Sequence, residues 1–269
     1  MPRRILMGFL KKVVTLRPGE GPTAVLMFTY SFLAMTSYNI VKPMTRSTFI
    51  ADLGADNLPY IQFTAAVLIG VMMDLYVRLG MRLPRRALIP VTLGILVAIL
   101  LAFWVLFQFD AAWVPAVFYL FGLLFGILVI SQFWTLANEI YDARQARRIF
   151  GFIGGGSALG GMLGNGILSL GTTTIGTVNL LLVSAAFLTI CLSIVTVITR
   201  RQSLPDDPAA LDAERGVGGG EALRLLKASR QLQVIALVIG FAAIGAVTIE
   251  QQLNMATEAS GEDVDQMTQ

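Results

Sequence analysis

The stretch ALIPVTLGILVAILLAFWVLFQF, residues 87–109, has no charged side chain and is bounded by Arg85-Arg86 and Asp110. At a rise of about 1.5 Å per residue, a helix of this length crosses the roughly 30 Å hydrocarbon core of a bilayer. Lipid offers no partner to backbone N–H and C=O groups, so a spanning segment must satisfy them internally. The stretch therefore predicts a transmembrane helix.

Six further stretches have the same length and apolar character. The predicted spans are Thr23–Val41, Leu58–Leu79, Ala87–Phe109, Ala112–Leu136, Phe152–Leu170, Ile175–Thr199 and Gln233–Gln251. A hydrophobic content of 55% and a mean hydropathy of +0.72 agree with them. We predict an all-α, polytopic membrane helix bundle.

The basic residues are distributed unevenly between the two sides of these spans. Of the 20 Lys and Arg residues, all but Lys42 and Arg46 fall on the side of the N-terminus. Because short cytoplasmic loops carry the excess of basic residues, we expect the N-terminus to be cytoplasmic, in a bacterial inner membrane. Charges beside spans also explain the net charge of +3 without a nucleic-acid partner.

The order of the spans predicts the domain organisation. We expect a cytoplasmic interfacial segment at 1–22, a six-helix transmembrane half at 23–199, a polar cytoplasmic linker at 200–230 and the start of a second half at 231–269. Six helices, a linker and another helix are how a six-plus-six transporter with a major-facilitator-like fold begins. We therefore also expect a C-terminally truncated chain.

The composition argues against several classes of site. Histidine is absent and Cys191 is the only cysteine. A His/Cys metal site, a Ser-His-Asp triad and a disulfide framework are therefore excluded. No segment has the composition of a catalytic site, so we expect neither an enzyme nor a bound cofactor or metal.

Lys42 and Arg46 flank Pro43 just after the first span. We expect the helix to continue at an angle past the proline, holding both cations near a central cavity. Basic groups in a membrane pocket suit phosphate or carboxylate substrates. The alternative is an outer juxtamembrane pair balanced by Asp52 and Asp56 or by lipid phosphates.

A cytoplasmic stretch between the fourth and fifth spans is dense in charge. Its charged residues recur at helical spacings of three and four, which favours either a salt-bridged loop or a gate lock. The gating candidates here are Glu139, Asp142, Arg144, Arg147 and Arg148.

Another gating candidate is Asp74, four residues after Gly70 and followed by a basic loop from Arg78. This pattern is similar to a degraded form of the major facilitator loop motif, with Leu75 where that motif has arginine. A simple helix-end ion pair is the alternative.

Glycines recur every fourth residue in the fifth span, at Gly156, Gly160 and Gly164. Small residues at this spacing predict close packing against another membrane helix. A phosphate-cradling loop is set aside, because no Gly-Lys-Ser/Thr follows. Asn165, a polar residue deep in the span, is a candidate for facing the substrate cavity.

Glu250, at the end of the seventh span, is a further binding candidate or part of an acidic outer tail.

One local pattern is similar to a known family. Phe133, Trp134, Ala137 and Asn138, followed by Ala146, Arg147, Arg148 and Gly154, resemble the ATP/ADP translocase family of plastids and intracellular bacteria. That family is a distant branch of the major facilitator architecture with twelve helices. The resemblance implies a secondary transporter that exchanges nucleotides by alternating access.

The resemblance also implies a substrate site. Its candidate residues are Lys42, Arg46, Asn138 and Glu250, and Asn165 is added because it is a polar residue deep in a span. Two positions depart from the nucleotide exchangers: Asn254 stands where they have a lysine, and Gly122 lies near an expected acidic residue. A transporter of another anionic solute and a non-transporting membrane scaffold are therefore retained as alternatives.

Overall fold

The computed structural model describes residues 20–82, 85–109, 111–201 and 219–259. Within these ranges the regular structure is helical, which confirms the all-α prediction. The α-helices are α1 (Gly21–Leu53), α2 (Leu58–Arg82), α3 (Arg85–Leu106), α4 (Val114–Ile140), α5 (Ala143–Thr174), α6 (Leu180–Arg201), α7 (Gly219–Ala228) and α8 (Arg230–Ala259). Short 3₁₀ turns at Ala55–Asn57 and Phe107–Phe109 follow α1 and α3.

Five of the described helices contain segments that are long and apolar enough to cross a membrane. They are Gly21–Leu53, Ala87–Phe109, Val114–Ile140, Leu180–Arg200 and Arg230–Ile249. The chain is therefore a multi-pass membrane protein. The second and fifth predicted spans form helices α2 and α5 but are not among the five. In α5 the many glycines lower the hydropathy of a helix that is otherwise long enough.

The chain folds as two compact units. Helices α1 to α6 belong to the first unit, and α7 and α8 belong to the second. In the second unit, α8 carries exposed apolar side chains along most of its length, including Val238 and Phe241. The domain boundaries expected from the sequence, at residues 22, 199 and 230, stay predictions.

Helix α1 occupies the centre of the first unit and packs on α4, α5 and α6. It continues through Pro43 to Leu53, beyond the predicted end of the span at Val41. The expected change of angle at the proline stays a prediction. Pro43 has no N–H to donate to the carbonyl of Asn39, and the surrounding contacts hold the helix together across this gap. Buried side chains of α1, among them Tyr30 and Met44, form part of the main apolar core.

The glycine stripe of α5 faces α1, which confirms the predicted close packing. A methyl group on Gly156 would lie 2.8 Å from the carbonyl oxygen of Phe28, and one on Gly164 would lie 2.7 Å from that of Thr36. At Gly160 it would collide with the backbone of Phe32. Because these glycines have no side chains, the backbones of α1 and α5 approach to van der Waals contact.

Hydroxyl groups fasten the same central helix to its neighbours. Thr36 Oγ1 donates to the carbonyl of Gly160 on α5 at 3.1 Å, and the Ser37 and Ser184 hydroxyls hydrogen-bond at 2.5 Å between α1 and α6. Because these groups cannot bond to lipid, each of them is satisfied inside the protein.

Helix α4 runs antiparallel to α1 and meets it at two further glycines. A methyl group on Gly122 would lie 2.5 Å from Thr45, and one on Gly126 would lie 2.5 Å from the ring of Tyr38. Farther along, Phe133 meets Tyr30, with ring centroids 5.7 Å apart. These contacts fix which residues of α1 and α4 lie at the same level.

Candidate functional site

Five polar or flexible residues follow one face of α1. Spacings of four, four, three and four residues place them on one helical stripe. They are Ser31, Met35, Asn39, Lys42 and Arg46. The stripe therefore presents two hydroxyl or amide groups and two cations along one side of the central helix.

The two cations are half-buried in this stripe. Lys42 Nζ lies 5.9 Å from the centre of the Tyr38 ring, within the range of a cation–π interaction. Tyr38 in turn packs against Gly126 of α4. The tyrosine, fixed between α1 and α4, thus helps to orient the ammonium group.

Lys42 and Arg46 lie on a helix and not in a loop. Lys42 precedes the end of α1 at Leu53 by about 16 Å along the axis. Asp52 and Asp56, considered from the sequence as counter-charges, are exposed near the end of this helix and in the following turn. The cations therefore occupy a rigid element with a defined orientation.

Asp142 is the N-cap residue of α5. Its Oδ1 accepts from the backbone N–H groups of Arg144 at 3.1 Å and Gln145 at 2.9 Å, while Gln145 Oε1 accepts from the Asp142 N–H at 3.2 Å. This reciprocal pattern is a capping box, which satisfies donors that the first helical turn leaves free. The carboxylate that the sequence suggested as a gating charge is thus engaged in starting α5.

Arg148 forms an ion pair with Glu20, the residue before α1. The Arg148 Nη2 to Glu20 Oε1 distance is 3.3 Å, and Gln145 Nε2 donates to the same oxygen at 3.2 Å. Burial, together with the negative charge of Glu20, raises the pKa of the neighbouring Tyr141 phenol well above its usual range, so Tyr141 stays neutral. The starts of α1 and α5 are therefore clamped together by one mostly buried carboxylate.

The other predicted site residues are dispersed. Asn138, Arg144 and Arg147 are exposed near the junction of α4 and α5, and Glu139 is half-buried there. Asn138 lies about 24 Å along the α4 axis from Gly122, the residue that packs on Thr45, so the structure does not bring it beside Lys42. Asn165 is exposed on α5, next to the Gly164 contact with Asn39.

For three of the predicted site residues, the structure describes the helix that contains the residue but not its side chain. Asp74 and Arg78 lie in α2, and Glu250 lies in α8 of the second unit. Their proposed roles stay predictions.

Residues 104–201 match one protein-family model. The model describes the TLC ATP/ADP transporter family. The match extends from the end of α3 to the end of α6 and includes the whole junction between α4 and α5 described above. Searches of curated proteins and of solved structures gave no match. The TLC match supports a nucleotide transporter; Lys42, Arg46 and Glu250 lie outside the matched segment.

Sequence reasoning missed Glu20, which contacts two residues of the TLC-matched segment. It is an acidic residue directly before the first span, and nothing in its local sequence identifies its partner 128 residues later. Only the packing of α1 on α5 brings the carboxylate to Arg148.

We expect Glu20→Ala to destabilise the first unit. Removing the carboxylate leaves Arg148, whose side chain is only 26% exposed, without this partner. After discounting for solvent screening, the free energy of unfolding should fall by about 1 kcal/mol. Thermal unfolding of the purified protein in detergent measures this loss of stability.

Arg144→Ala is the matched control, because Arg144 is an exposed cation on the same helix. It should change stability by less than about 0.5 kcal/mol. A Glu20→Ala, Arg148→Ala cycle that shows no coupling energy would contradict the clamp.

Proposed function

We propose that the protein is a secondary transporter that exchanges nucleotides of the ATP/ADP type across a bacterial inner membrane. The observation that carries this proposal is the match of residues 104–201 to the TLC ATP/ADP transporter family. The matched segment contains the Phe133–Gly154 pattern from which the sequence alone suggested the same family.

The cationic stripe of α1 supports an anionic substrate. Lys42 and Arg46 are half-buried on a continuous helix, where a charge is costly unless it serves a partner or a ligand. An arginine can bind a phosphate through two parallel hydrogen bonds, and a lysine acts as a point charge. Together they suit the terminal phosphates of a nucleotide.

In this proposal the cytoplasmic junction acts as the gate. It takes the N-terminus as cytoplasmic, with exposed Arg144 and Arg147 as gate candidates on that side. Asp74, Arg78 and Glu139 are further gate candidates, while Asp142 and Arg148 hold α5 in place. Alternating access would then be a rocking of two halves about a midplane site.

A second candidate substrate is another anionic solute. A methyl group on Gly122 would already lie 2.5 Å from the Thr45 side chain, so an acidic side chain there requires that threonine to shift. Nucleotide exchangers are expected to have a carboxylate near this position. This chain has glycine there, and the Thr45 side chain leaves little room for a carboxylate. This packing favours a substrate site different from theirs in detail.

Uptake of labelled ATP by bacterial cells expressing the complete reading frame separates these candidates. We expect saturable uptake that excess unlabelled ADP inhibits, while organic anions and phosphate esters at equal concentration do not. Inhibition by those anions but not by ADP would favour the second candidate. Absence of uptake, with the protein present in the membrane, would favour a non-transporting scaffold.

A further inference from the structure

A small cavity lies among α1, α4 and α5, and we propose that it binds the planar base of the transported nucleotide. The inference rests on the proposed function and adds a specificity site to it. The cavity has a volume of about 180 Å³. Complete sites for drug-sized ligands are typically about 300–1,000 Å³, so this one fits a single part of a larger molecule.

Aromatic side chains form one wall of the cavity. Trp134 is 45% exposed and is held by edge contacts to Phe133 and Phe150, with ring centroids 5.3 and 5.4 Å away. Edge contacts of this kind orient an indole while leaving part of its surface open. A base that stacks on an aromatic side chain gains affinity without requiring a particular sequence or charge.

Two hydroxyl groups lie on the wall formed by α1 and α5. The Ser31 and Ser157 side chains hydrogen-bond to each other, and Ser31 Oγ also donates to the carbonyl of Ile153 at 3.2 Å. Because Ser31 gives its one proton to Ile153, Ser157 donates to Ser31, and both hydroxyls keep only acceptor positions for a further partner. An amino or ring N–H group on the edge of a base is such a donor.

The position of the cavity relative to the cations matches the layout of a nucleotide. Met35 and Ser31 line the cavity, and Lys42 lies on the same face of α1, about 10 Å along the axis from Met35 and about 16 Å from Ser31. A nucleotide carries its base and its terminal phosphate at opposite ends. The stripe of α1 would contact the base near Ser31 and Met35 and the phosphates near Lys42 and Arg46.

The main competing occupant is a lipid acyl chain, because the remaining walls are apolar. An acyl chain makes no use of the paired hydroxyls, and it packs on an indole without requiring a particular ring orientation. Both features instead suit a flat, polar-edged ring. The paired hydroxyls and the oriented indole therefore favour a base over an acyl chain, and the test is built on them.

The test compares binding of ATP with binding of inorganic tripolyphosphate, which lacks the base, to the purified full-length protein. In the wild type we expect ATP to bind more tightly. Trp134→Leu should weaken ATP binding by about tenfold and leave tripolyphosphate binding unchanged. Ile130→Trp, which fills the half-exposed edge of the cavity with a larger side chain, should also weaken ATP binding and leave Trp134 in place.

Trp113→Leu is the matched control, since Trp113 is a half-exposed tryptophan at the other end of α4. It should bind both probes like the wild type. Equal affinity of the wild type for ATP and tripolyphosphate would overturn the cavity assignment while leaving the phosphate site intact. An equal loss of both probes in Trp134→Leu would also overturn it, and binding of neither probe to the wild type would refute the proposed function itself.

Discussion

Replacing Lys42 and Arg46 together by alanine is expected to reduce ATP uptake by about a hundredfold or more, to the background of cells without the transporter. Each residue is expected to contribute a charge-assisted contact to the substrate phosphates, worth about 1.5–3 kcal/mol. Loss of both contacts should raise the KM for ATP and abolish uptake at micromolar concentrations. Initial rates of labelled ATP uptake against concentration measure the effect.

The matched control removes two cations elsewhere. Arg224→Ala, Lys227→Ala changes net charge equally at two exposed positions of α7 and should transport ATP normally. The exchanged pair Lys42→Arg, Arg46→Lys keeps both charges and should retain part of the uptake, with a higher KM, because the two groups differ in geometry. An unchanged KM in the double alanine variant would show that these cations do not bind substrate.

Gly160→Ala is expected to be the most damaging single-methyl change in the first unit. The added methyl would collide with the backbone of Phe32, which cannot move away as a flexible side chain could. Overpacking of this kind costs about 1–3 kcal/mol and forces α1 and α5 apart. Because the same interface positions the stripe of α1, we expect a lower yield of monodisperse protein and a melting temperature lower by about 5 °C.

The matched control is Gly155→Ala on the same helix. A methyl group at Gly155 has no neighbour within 4 Å, and alanine favours the helical conformation over glycine. Its melting temperature should equal or slightly exceed that of the wild type. Equal effects of the two substitutions would mean that the α1–α5 contact is not as close as described.

Much of the fold follows from local sequence properties. Hydropathy located the long apolar helices but not α7, which lies in the stretch expected to be a polar linker. The four-residue glycine period in α5 predicted its close packing, because that signal lies within one helix. The extent of α1 was harder to predict. Pro43 and two cations lower the hydropathy after Val41, but helical packing continues to Leu53.

The candidate site was less predictable, because it depends on the register between helices. Lys42 and Arg46 are conspicuous in the sequence, but the level of Asn138 relative to them requires the antiparallel pairing of α4 with α1. Glu20 and the paired serines have no distinctive sequence context. Their relevance comes only from partners more than a hundred residues away.

Counter-exchange in proteoliposomes tests the central claim most directly. The purified protein from the complete reading frame is reconstituted into vesicles that contain ADP or no nucleotide, and labelled ATP is added outside. If the empty carrier reorients slowly, ATP should enter only the ADP-loaded vesicles, with one ADP released for each ATP taken up. Equal ATP entry into empty vesicles would contradict obligate exchange, and no ATP entry into either would contradict nucleotide transport.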